Sequence, residues 1–294
     1  MLELSRTDSA GDSRFGTGWT LGLGGDTWNT AVHLQRLGFP VRYLTALGSD
    51  PFSADMLAAW QAEGLDTRLV LRHARHLPGL YTIHTAADGE RSFSYWRSRS
   101  AVRSLFELPG IEEAIATAAT TGLLYLSGIT LSLFGPAERR RLNQLAADVR
   151  ARGGVVAFDP NYRPAGWDDA ATARAAIQAL APQVSIVLPT LEDEQKLFDD
   201  GTVASVIGRW SGFGVREVIV KRGAAGSVVA SGTSRVEVPA VAVDRVIDTT
   251  GAGDAFNAGY LAARSRGSEP REAAQAAARL AARVIQHRGA IVPK

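Results

Sequence analysis

Cysteine is absent from all 294 positions of the sequence. Disulfide bonds and thiolate metal sites are therefore excluded, and the composition is typical of a protein of the reducing cytoplasm, where we expect this one to act. The five histidines are scattered along the chain, and none shows the spacing of metal ligands. We therefore expect no metal site built from cysteine or histidine.

A strong charge of one sign and long apolar runs are also missing. The formal net charge is +2 and no block of five like charges occurs, so the sequence does not suggest nucleic-acid binding. Residues 1–14 lack the apolar core of a signal peptide. No apolar run approaches the ~18 residues of a membrane-spanning helix. We expect no nucleic-acid partner, no membrane insertion and no secretion.

What the sequence does contain is an alternation of short apolar runs with alanine-rich stretches of helical periodicity. Several helical stretches stop at a glycine, namely Gly38, Gly64 and Gly153. This alternation predicts an α/β fold in which helices cover both faces of a parallel sheet. The predicted strands are 41–47, 123–127, 155–158, 185–188 and 217–221, and the predicted helices are 27–37, 51–63, 136–152, 168–181, 191–198, 253–266 and 270–286.

One stretch, residues 78–97, breaks the alternation, because it has the pattern of two strands around a turn with no helix on either side. Insertions at the strand ends of α/β folds commonly cover a ligand site, since ligands bind outside the carboxyl ends of the strands. A surface hairpin without function would show the same local pattern.

The turn of this hairpin decides which side chains share a face. A two-residue Asp88-Gly89 turn would pair Tyr81 with Trp96. A three-residue loop would instead pair Tyr81 with Tyr95 and would place both on one face with Arg97. We favour this second register because it forms one polar-aromatic surface, but the sequence alone allows either.

The strongest chemical signal is DTTGAGDAFNAGY at residues 248–260. Gly251, Ala252 and Gly253 predict a tight turn directly before a helix, where free N–H groups and the helix dipole favour an anion. Asp254 follows in the first helical turn, where its carboxylate suits a base that takes a proton from an attacking hydroxyl. The pattern is that of phosphoryl transfer, although a turn and a helix start without function would also produce it.

A second signal lies at the start of the first predicted helix, where Gly24-Gly25 precedes Asp26, Thr27 and Asn29. These short polar side chains suit hydrogen bonds to sugar hydroxyls, and the glycines would let the backbone approach closely. Asp26 or Thr27 would equally serve as a helix N-cap.

Two further polar stretches follow predicted strands. Asp159, Asn161, Tyr162 and Arg163 stand at the carboxyl end of strand 155–158, where site residues of α/β folds collect. Residues 221–228, KRGAAGSV, form a glycine-rich loop that suits nucleotide phosphates or a plain β-turn.

In order and spacing, these stretches resemble the ribokinase-like sugar kinases of the phosphofructokinase B type, from about Leu2 to Ile291. The landmarks of the resemblance are the GGDTWN helix start and DTTGAGDAF. The hairpin at 78–97 and the segment NYRPAGW at 161–167 are similar to the members that phosphorylate the sugar acid 2-keto-3-deoxygluconate. The implied fold is a three-layer α/β/α sandwich with a mostly parallel central sheet, in one domain of residues 1–294 with β-lid segments at about 8–23 and 78–98.

The resemblance implies a role for each matching residue. Asp254 would be the catalytic base, with Gly251, Ala252 and Gly253 as the anion hole. The sugar acid would be held by Gly24, Gly25, Asp26, Asn29, Tyr81, Tyr95, Arg97 and Arg163, and the ATP side would be lined by Thr190, Lys221, Gly223, Gly226 and Thr250.

The resemblance also implies ATP with Mg²⁺, a monovalent cation such as K⁺ at Asp248, and a homodimer formed through the lid. The family's Asn-x-x-Glu motif on the magnesium side falls here on Thr190 and Asp193, so that Asp193 becomes the candidate metal residue. The family also has an apolar strand ahead of the segment that matches residues 2–5. We expect an upstream addition of about ten apolar-rich residues to raise the melting temperature, because a sheet with that strand buries more apolar surface.

Three functions are compared on this basis. The favoured one is an ATP-dependent kinase of a sugar acid, because Arg97 and Arg163 suit a carboxylate. A kinase of a neutral sugar such as fructose or ribose would not require two arginines. A non-catalytic sugar-binding relative would not require the GAGD turn with Asp254.

Overall fold

The computed structural model of the protein describes residues 1–6, 18–85, 91–199 and 201–293. Its internal contacts divide the chain into a first unit, residues 1–28 and 42–111, and a second unit, residues 29–41 and 112–294. The first unit contains the strands Leu2–Arg6 (β1), Trp19–Leu23 (β2), Thr45–Leu47 (β3), Val70–Arg72 (β4), Leu80–Thr85 (β5) and Arg91–Trp96 (β6), the helix Pro51–Ala62, the 3₁₀ turn Ala101–Glu107 and the start of the helix Asp26–Arg36. Asp26–Arg36 is α1 and Pro51–Ala62 is α2.

A four-stranded sheet in the order β2-β1-β5-β6 organises the first unit. Strand β1 pairs antiparallel with β2 and parallel with β5, and β5 pairs antiparallel with β6. Tyr81 lies opposite Tyr95, as predicted for the three-residue loop. Residues 86–90, which include that loop, and residues 7–17, which include part of the predicted lid segment at 8–23, lie outside the described residues.

The two faces of this sheet differ in character because successive side chains of a strand point to opposite sides. One face carries Glu3, Tyr81 and Tyr95, which are neighbours across the strands. Trp96 lies on the other face, where it is 60% exposed. The reason is that its neighbours there come from β1, β2 and β5, which form the same open surface: Leu2, Leu4, Leu21, Leu23 and Leu80.

A six-stranded sheet organises the second unit. Its strands are Leu123–Ser127 (β7), Val155–Asp159 (β8), Ile186–Val187 (β9), Glu217–Lys221 (β10), Ser227–Ser231 (β11) and Ser234–Val238 (β12), in the order β12-β11-β10-β9-β8-β7. Strands β7 to β10 are parallel, and β11 and β12 continue the sheet antiparallel. The sheet is mostly parallel, as expected, but the last two strands were not predicted.

One predicted strand, 41–47, is largely wrong. Only Thr45–Leu47 forms a strand, and it pairs with β4 in a separate two-stranded sheet of the first unit. Ahead of it, Arg42 makes an isolated bridge to Asp66. Tyr43 is engaged through its side chain, with its hydroxyl 2.9 Å from Thr27 Oγ1 and its ring edge-on to Trp60.

Helices cover both faces of the six-stranded sheet, in the three-layer arrangement that the sequence predicted. Phe158 of β8 packs against Trp210, whereas the adjacent Ala157 belongs to an apolar cluster with Tyr260 and Ala277. Among the described residues no helix is long and apolar enough to cross a membrane. The helices are Ile111–Ala118 (α3), Gly128–Ser132 (α4), Pro136–Ala151 (α5), Ala170–Leu180 (α6), Leu191–Phe198 (α7), Val203–Gly212 (α8), Ala252–Ser265 (α9) and Pro270–Val284 (α10), with 3₁₀ turns at Pro164–Gly166, Ala181–Gln183 and Gly223–Ala225.

The close packing of α9 on α10 depends on small residues. A Cβ added to Gly259 of α9 would lie 2.9 Å from Ala277 Cα of α10. At Gly208 of α8 an added Cβ would meet no described atom within 4 Å. These two helical glycines therefore differ in the space around them rather than in backbone conformation.

We expect Gly208→Ala to raise the free energy of unfolding by roughly 0.5–1 kcal/mol, because alanine has the better helix propensity. Gly259→Ala should lower it by about 1–3 kcal/mol, because overpacking pushes α9 away from α10. Urea denaturation of both variants and the parent measures the two changes. Stabilisation by both substitutions would show that the α9–α10 contact does not require glycine.

Candidate active site

The turn before α9 has a backbone that glycine alone satisfies. Gly251 has φ 72°, in the left-handed region, and a Cβ there would lie 2.8 Å from Ala290 Cα. The preceding Asp248 carboxylate accepts hydrogen bonds from Thr250 N (2.7 Å) and Gly289 N (2.9 Å), which ties the turn to the segment after α10. The start of α9 is thereby fixed in place.

The first turn of α9 offers an anion site. No carbonyl of the described residues accepts a hydrogen bond from Gly253 N, whereas Ala252 N donates to Thr249 O at 3.2 Å. The positive end of the helix dipole adds to the attraction for negative charge at this end. The predicted anion hole therefore has one donor available and a fixed helix start.

Asp254 lies directly after this turn and is 9% exposed. Asn29 Nδ2 of α1 donates to Asp254 Oδ2 at 2.8 Å, and Thr30 Oγ1 donates to the Asp254 carbonyl at 3.4 Å. Asn29, which the resemblance assigned to the sugar, is only 5% exposed and contacts the predicted base. No local pattern predicts this contact, because 225 positions separate the two residues.

A buried polar cluster lies beside the start of α9. Lys221 Nζ, at the end of β10, donates to Asp159 Oδ2 of β8 at 2.7 Å and to Asn257 Oδ1 of α9 at 3.1 Å. Asn257 Nδ2 donates to Asp159 Oδ2 (2.6 Å) and to the hydroxyl of Tyr125 (3.0 Å). Lys221, predicted on the ATP side, is thus held by its neighbours and is 8% exposed.

Arg163 and Asp193 form an ion pair. Arg163 Nη1 lies 3.1 Å from Asp193 Oδ1 and 3.0 Å from Oδ2. Burial raises the pKa of the Asp193 carboxyl, Arg163 lowers it, and repulsion by Asp159 raises it again. The structure therefore places the arginine predicted for the sugar acid against the residue predicted for magnesium.

The remaining residues predicted for the ATP side lie at chain turns. Thr190 is the residue before α7 and bridges to Lys221 in parallel fashion. Gly223 begins the 3₁₀ turn after β10 with φ 56°, and Gly226 follows the turn with φ 79°. A Cβ on Gly226 would lie 2.7 Å from Ala240 N, so this turn packs tightly on the chain after β12.

The first unit groups the other residues predicted for the sugar. Gly24 has no room for a side chain, since a Cβ there would collide with the hydroxyl of Tyr81 and lie 3.0 Å from Glu3 Oε2. Tyr81 donates from that hydroxyl to Glu3 Oε2. Gly25 follows with φ 129°, and Asp26 begins α1.

Arg97 differs from Arg163 in its surroundings. It is 8% exposed, its guanidinium lies 4.4 Å from the centre of the Tyr95 ring, and no carboxylate or carbonyl of the described residues accepts a hydrogen bond from it. Burial, the largest effect, lowers the pKa of the Arg97 guanidinium; the interaction with Tyr95 raises it, repulsion by Arg103 lowers it and attraction to Asp26 raises it. A buried cation with an aromatic neighbour and no ion pair is suited to an anionic ligand.

Sequence reasoning missed three residues of these groups. Asn257 stands three positions after Asp254 on the same helix. Residues three apart on a helix are neighbours, so this spacing could have placed Asn257 beside the predicted base. Glu3 and Tyr125 gave none, because their roles depend on partners brought close only by the sheets.

Comparison with known proteins identifies the family of this chain. The family described as pfkB family carbohydrate kinase matches residues 2–294. The chain is 43% identical over 300 residues to a 2-dehydro-3-deoxygluconokinase of Dickeya dadantii, covering 100% of this chain and 94% of that protein. It is 44% identical over 280 residues to the Escherichia coli K12 protein of the same name, covering 93% and 91%.

Solved structures show the same fold. The crystal structure of a PfkB protein from Polaromonas sp. JS666 has a TM-score of 0.85 at 28% identity, covering 97% of this chain and 93% of that one. A putative ribokinase II from E. coli, in complex with ATP and Mg²⁺, also has a TM-score of 0.85, at 24% identity and with 98% and 91% covered. From the whole-chain family match and these relatives, the chain belongs to the pfkB family of carbohydrate kinases.

Proposed function

We propose that this kinase transfers the γ-phosphoryl group of ATP to the terminal hydroxyl of 2-keto-3-deoxy-D-gluconate, giving the 6-phosphate. Two relatives that are 43% and 44% identical bear the name 2-dehydro-3-deoxygluconokinase. The structural observation that carries the proposal is the buried Arg97 guanidinium, which has no ion-pair partner among the described residues.

A carboxylate substrate explains why the chain buries this charge. Removing a guanidinium from water without a counter-charge is costly, and an acid bound there would compensate with charge-assisted hydrogen bonds. A neutral sugar such as fructose or ribose would leave that cost unmet. Gly24, Gly25, Asp26, Tyr81 and Tyr95 are proposed to bind the rest of the sugar acid.

The proposed chemical step uses the start of α9. Asp254 accepts the proton of the sugar hydroxyl as the hydroxyl oxygen forms its bond to the γ-phosphorus and the bond from that phosphorus to ADP breaks. Negative charge that develops on the phosphoryl oxygens is stabilised at the 251–253 turn, where the N–H group of Gly253 is available. Asn29 holds one carboxylate oxygen of Asp254 in place during this step.

The carboxylates of the second unit fit a magnesium complex of ATP. Magnesium is usually held by one or two carboxylates together with substrate phosphates and water. No cluster of three or more acidic or histidine ligands occurs among the described residues. Asp193 is a buried carboxylate that pairs with Arg163 and is also repelled by Asp159, and a cation beside the two carboxylates would relieve that repulsion. We assign the magnesium side to Asp193, and the ATP side to Thr190, Lys221, Gly223, Gly226 and Thr250. The metal supplies charge neutralisation of the phosphates.

A monovalent cation at Asp248 is part of the same proposal. Its carboxylate already holds Thr250 N and Gly289 N, which connect the turn before α9 to the chain after α10. A K⁺ ion there would reinforce this connection.

We also propose a homodimer that forms through the four-stranded sheet of the first unit. The leucine face of this sheet is formed by Leu2, Leu4, Leu21, Leu23, Leu80 and Trp96. Two of these side chains are exposed, Leu21 at 45% and Trp96 at 60%. The same face of a second copy would be self-complementary, as a two-fold interface requires.

Asp254→Asn should lower kcat by about 10²–10⁴, because the variant keeps the shape of the residue but loses the base. KM for the sugar acid and for ATP should stay close to the parent values. ADP release coupled to NADH oxidation measures all three constants. Turnover at the parent rate would remove Asp254 from the role of base.

Arg97→Met should raise KM for 2-keto-3-deoxygluconate by about 10–100-fold, the cost of one charge-assisted hydrogen bond pair. KM for ATP should hardly change. Arg163→Met is the matched variant. Unlike Arg97→Met, it should raise KM for ATP, because it leaves Asp193 without its ion pair. Assays with fructose and ribose in place of the acid identify the substrate class. Equal KM for the acid in Arg97→Met and the parent, or preferred turnover of a neutral sugar, would contradict a sugar-acid site at Arg97.

Trp96→Glu combined with Leu21→Glu should convert a dimer to a monomer, because charges on the leucine face oppose its self-association. Light scattering coupled to gel filtration measures the mass of the parent and of the variant. A Phe52→Glu variant, changed at an exposed apolar residue of α2, is the control and should stay dimeric. A monomeric parent would end the proposal of a dimer.

A further inference from the structure

We propose that Lys221 contacts an oxygen of the γ-phosphoryl group during its transfer, and that Asp159 and Asn257 position the Lys221 ammonium for that contact. This rests on the phosphoryl transfer proposed above. It gives Lys221 a role in the transition state, beyond lining the ATP side, and it gives Asp159 and Asn257 the role of positioning residues.

Lysine is rare in this chain. Of its 32 lysine and arginine residues only three are lysine, at positions 196, 221 and 294. Lys196 is exposed on α7, whereas Lys221 is buried at the end of β10. An ammonium is a compact point charge with three donors, while a guanidinium is a larger planar fork. Position 221 therefore carries a buried ammonium in a chain whose cationic residues are mostly arginines.

The hydrogen bonds of the ammonium leave one donor over. An ammonium has three N–H groups. Two are accounted for by Asp159 Oδ2 at 2.7 Å and Asn257 Oδ1 at 3.1 Å, and no other described side chain accepts from Lys221 Nζ. The third donor is therefore available to a ligand.

Gly253 lies beside the Lys221 ammonium. A Cβ placed on Gly253 would lie 3.6 Å from Lys221 Nζ, so the ammonium lies against the anion-binding turn. The N–H of Gly253 has no described acceptor either. A backbone donor and an ammonium donor are therefore adjacent at the end of α9 where phosphoryl charge would develop.

Asn257 fixes the direction of the ammonium. Its Oδ1 accepts from Lys221, and its Nδ2 donates to Asp159 and to the hydroxyl of Tyr125. All these groups pair before any ligand arrives, so that no reorganisation is needed as the phosphoryl group moves. A buried ion pair is weak evidence for stability, because desolvation offsets its attraction. A role in catalysis accounts for the cost of burying this one.

Lys221→Met should lower kcat by roughly 10²–10³-fold, the effect of losing one donor to a transition-state charge. KM for ATP and for the sugar acid should change by less than about threefold, because the ground-state complex keeps its other contacts. Binding of ADP with magnesium, aluminium fluoride and the sugar acid, which imitates the transferring group, should weaken by the same factor as kcat. Binding of ADP alone, measured by calorimetry, should be retained.

Two further variants make the test independent of folding. Asp159→Asn with Lys221→Met removes both charges of the buried pair and should fold with a melting temperature near that of the parent. It should be as slow as the single variant. Lys196→Met, at the exposed lysine of α7, is the matched control and should keep the parent kcat.

Asn257→Ala tests the positioning role, because it leaves Lys221 and Asp159 in place. It should lower kcat with little change in either KM, and it should weaken the aluminium fluoride complex more than it weakens ADP alone. An equal loss of both affinities would show that Asn257 only supports the fold.

The result that would overturn the proposal is a folded Lys221→Met, or the double variant, with the parent kcat and the parent affinity for the aluminium fluoride complex. The failure of the proposed function appears separately, as a parent enzyme that releases no ADP with 2-keto-3-deoxygluconate. If the parent uses a neutral sugar, the same comparison with that sugar supports or overturns the role of Lys221.

Discussion

The close approach of Gly251 to Ala290 is the constraint on which the catalytic part of the second unit depends. The left-handed turn at Gly251 leaves no space for a side chain and sets where α9 begins. Gly253, Asp254 and Asn257 follow within the first two turns of that helix, so one backbone contact places the proposed anion donor, the proposed base and the proposed positioning amide. Alanine-rich packing of α9 on α10 then keeps the helix from shifting.

The two arginines singled out by the sequence have different surroundings, and this difference carries the assignment of the substrate. Arg163 pairs with Asp193, so part of its charge is already balanced by the protein. Arg97 has an aromatic ring beside it and no described carboxylate in contact. Burial without a counter-charge is tolerable only where a ligand provides one. The acid group of the substrate is therefore better matched to Arg97 than to Arg163.

Local patterns were enough to predict most of the second unit. The parallel strands β7 to β10, the helices α5, α6, α7, α9 and α10 and the turn before α9 follow from periodicity and glycine placement. The hairpin β11–β12 was missed although it carries two signals: β12 alternates polar and apolar residues in the sequence SRVEV, and Gly232 with φ 57° lies between the strands. Helices α3, α4 and α8 were missed as well, and two of these three are eight residues or shorter.

The site was predictable in its residue types but not in its pairings. GAGD marks the proposed base and the proposed anion turn because their positions are adjacent in sequence. The partners Asn29 with Asp254, Arg163 with Asp193, and Lys221 with Asp159 join distant positions. Such pairs form only when strands and helices are packed, and a single sequence carries no trace of them.

The alternation of side chains along β1, β2, β5 and β6 has a consequence for how this chain can change over time. Tyr81 and Tyr95 occupy one face, and Leu21 and Trp96 occupy the other. Gain or loss of one residue inside a strand would exchange the two faces from that point onward. Substitutions can therefore adjust either face separately, whereas insertions and deletions are tolerated only in the connections between strands.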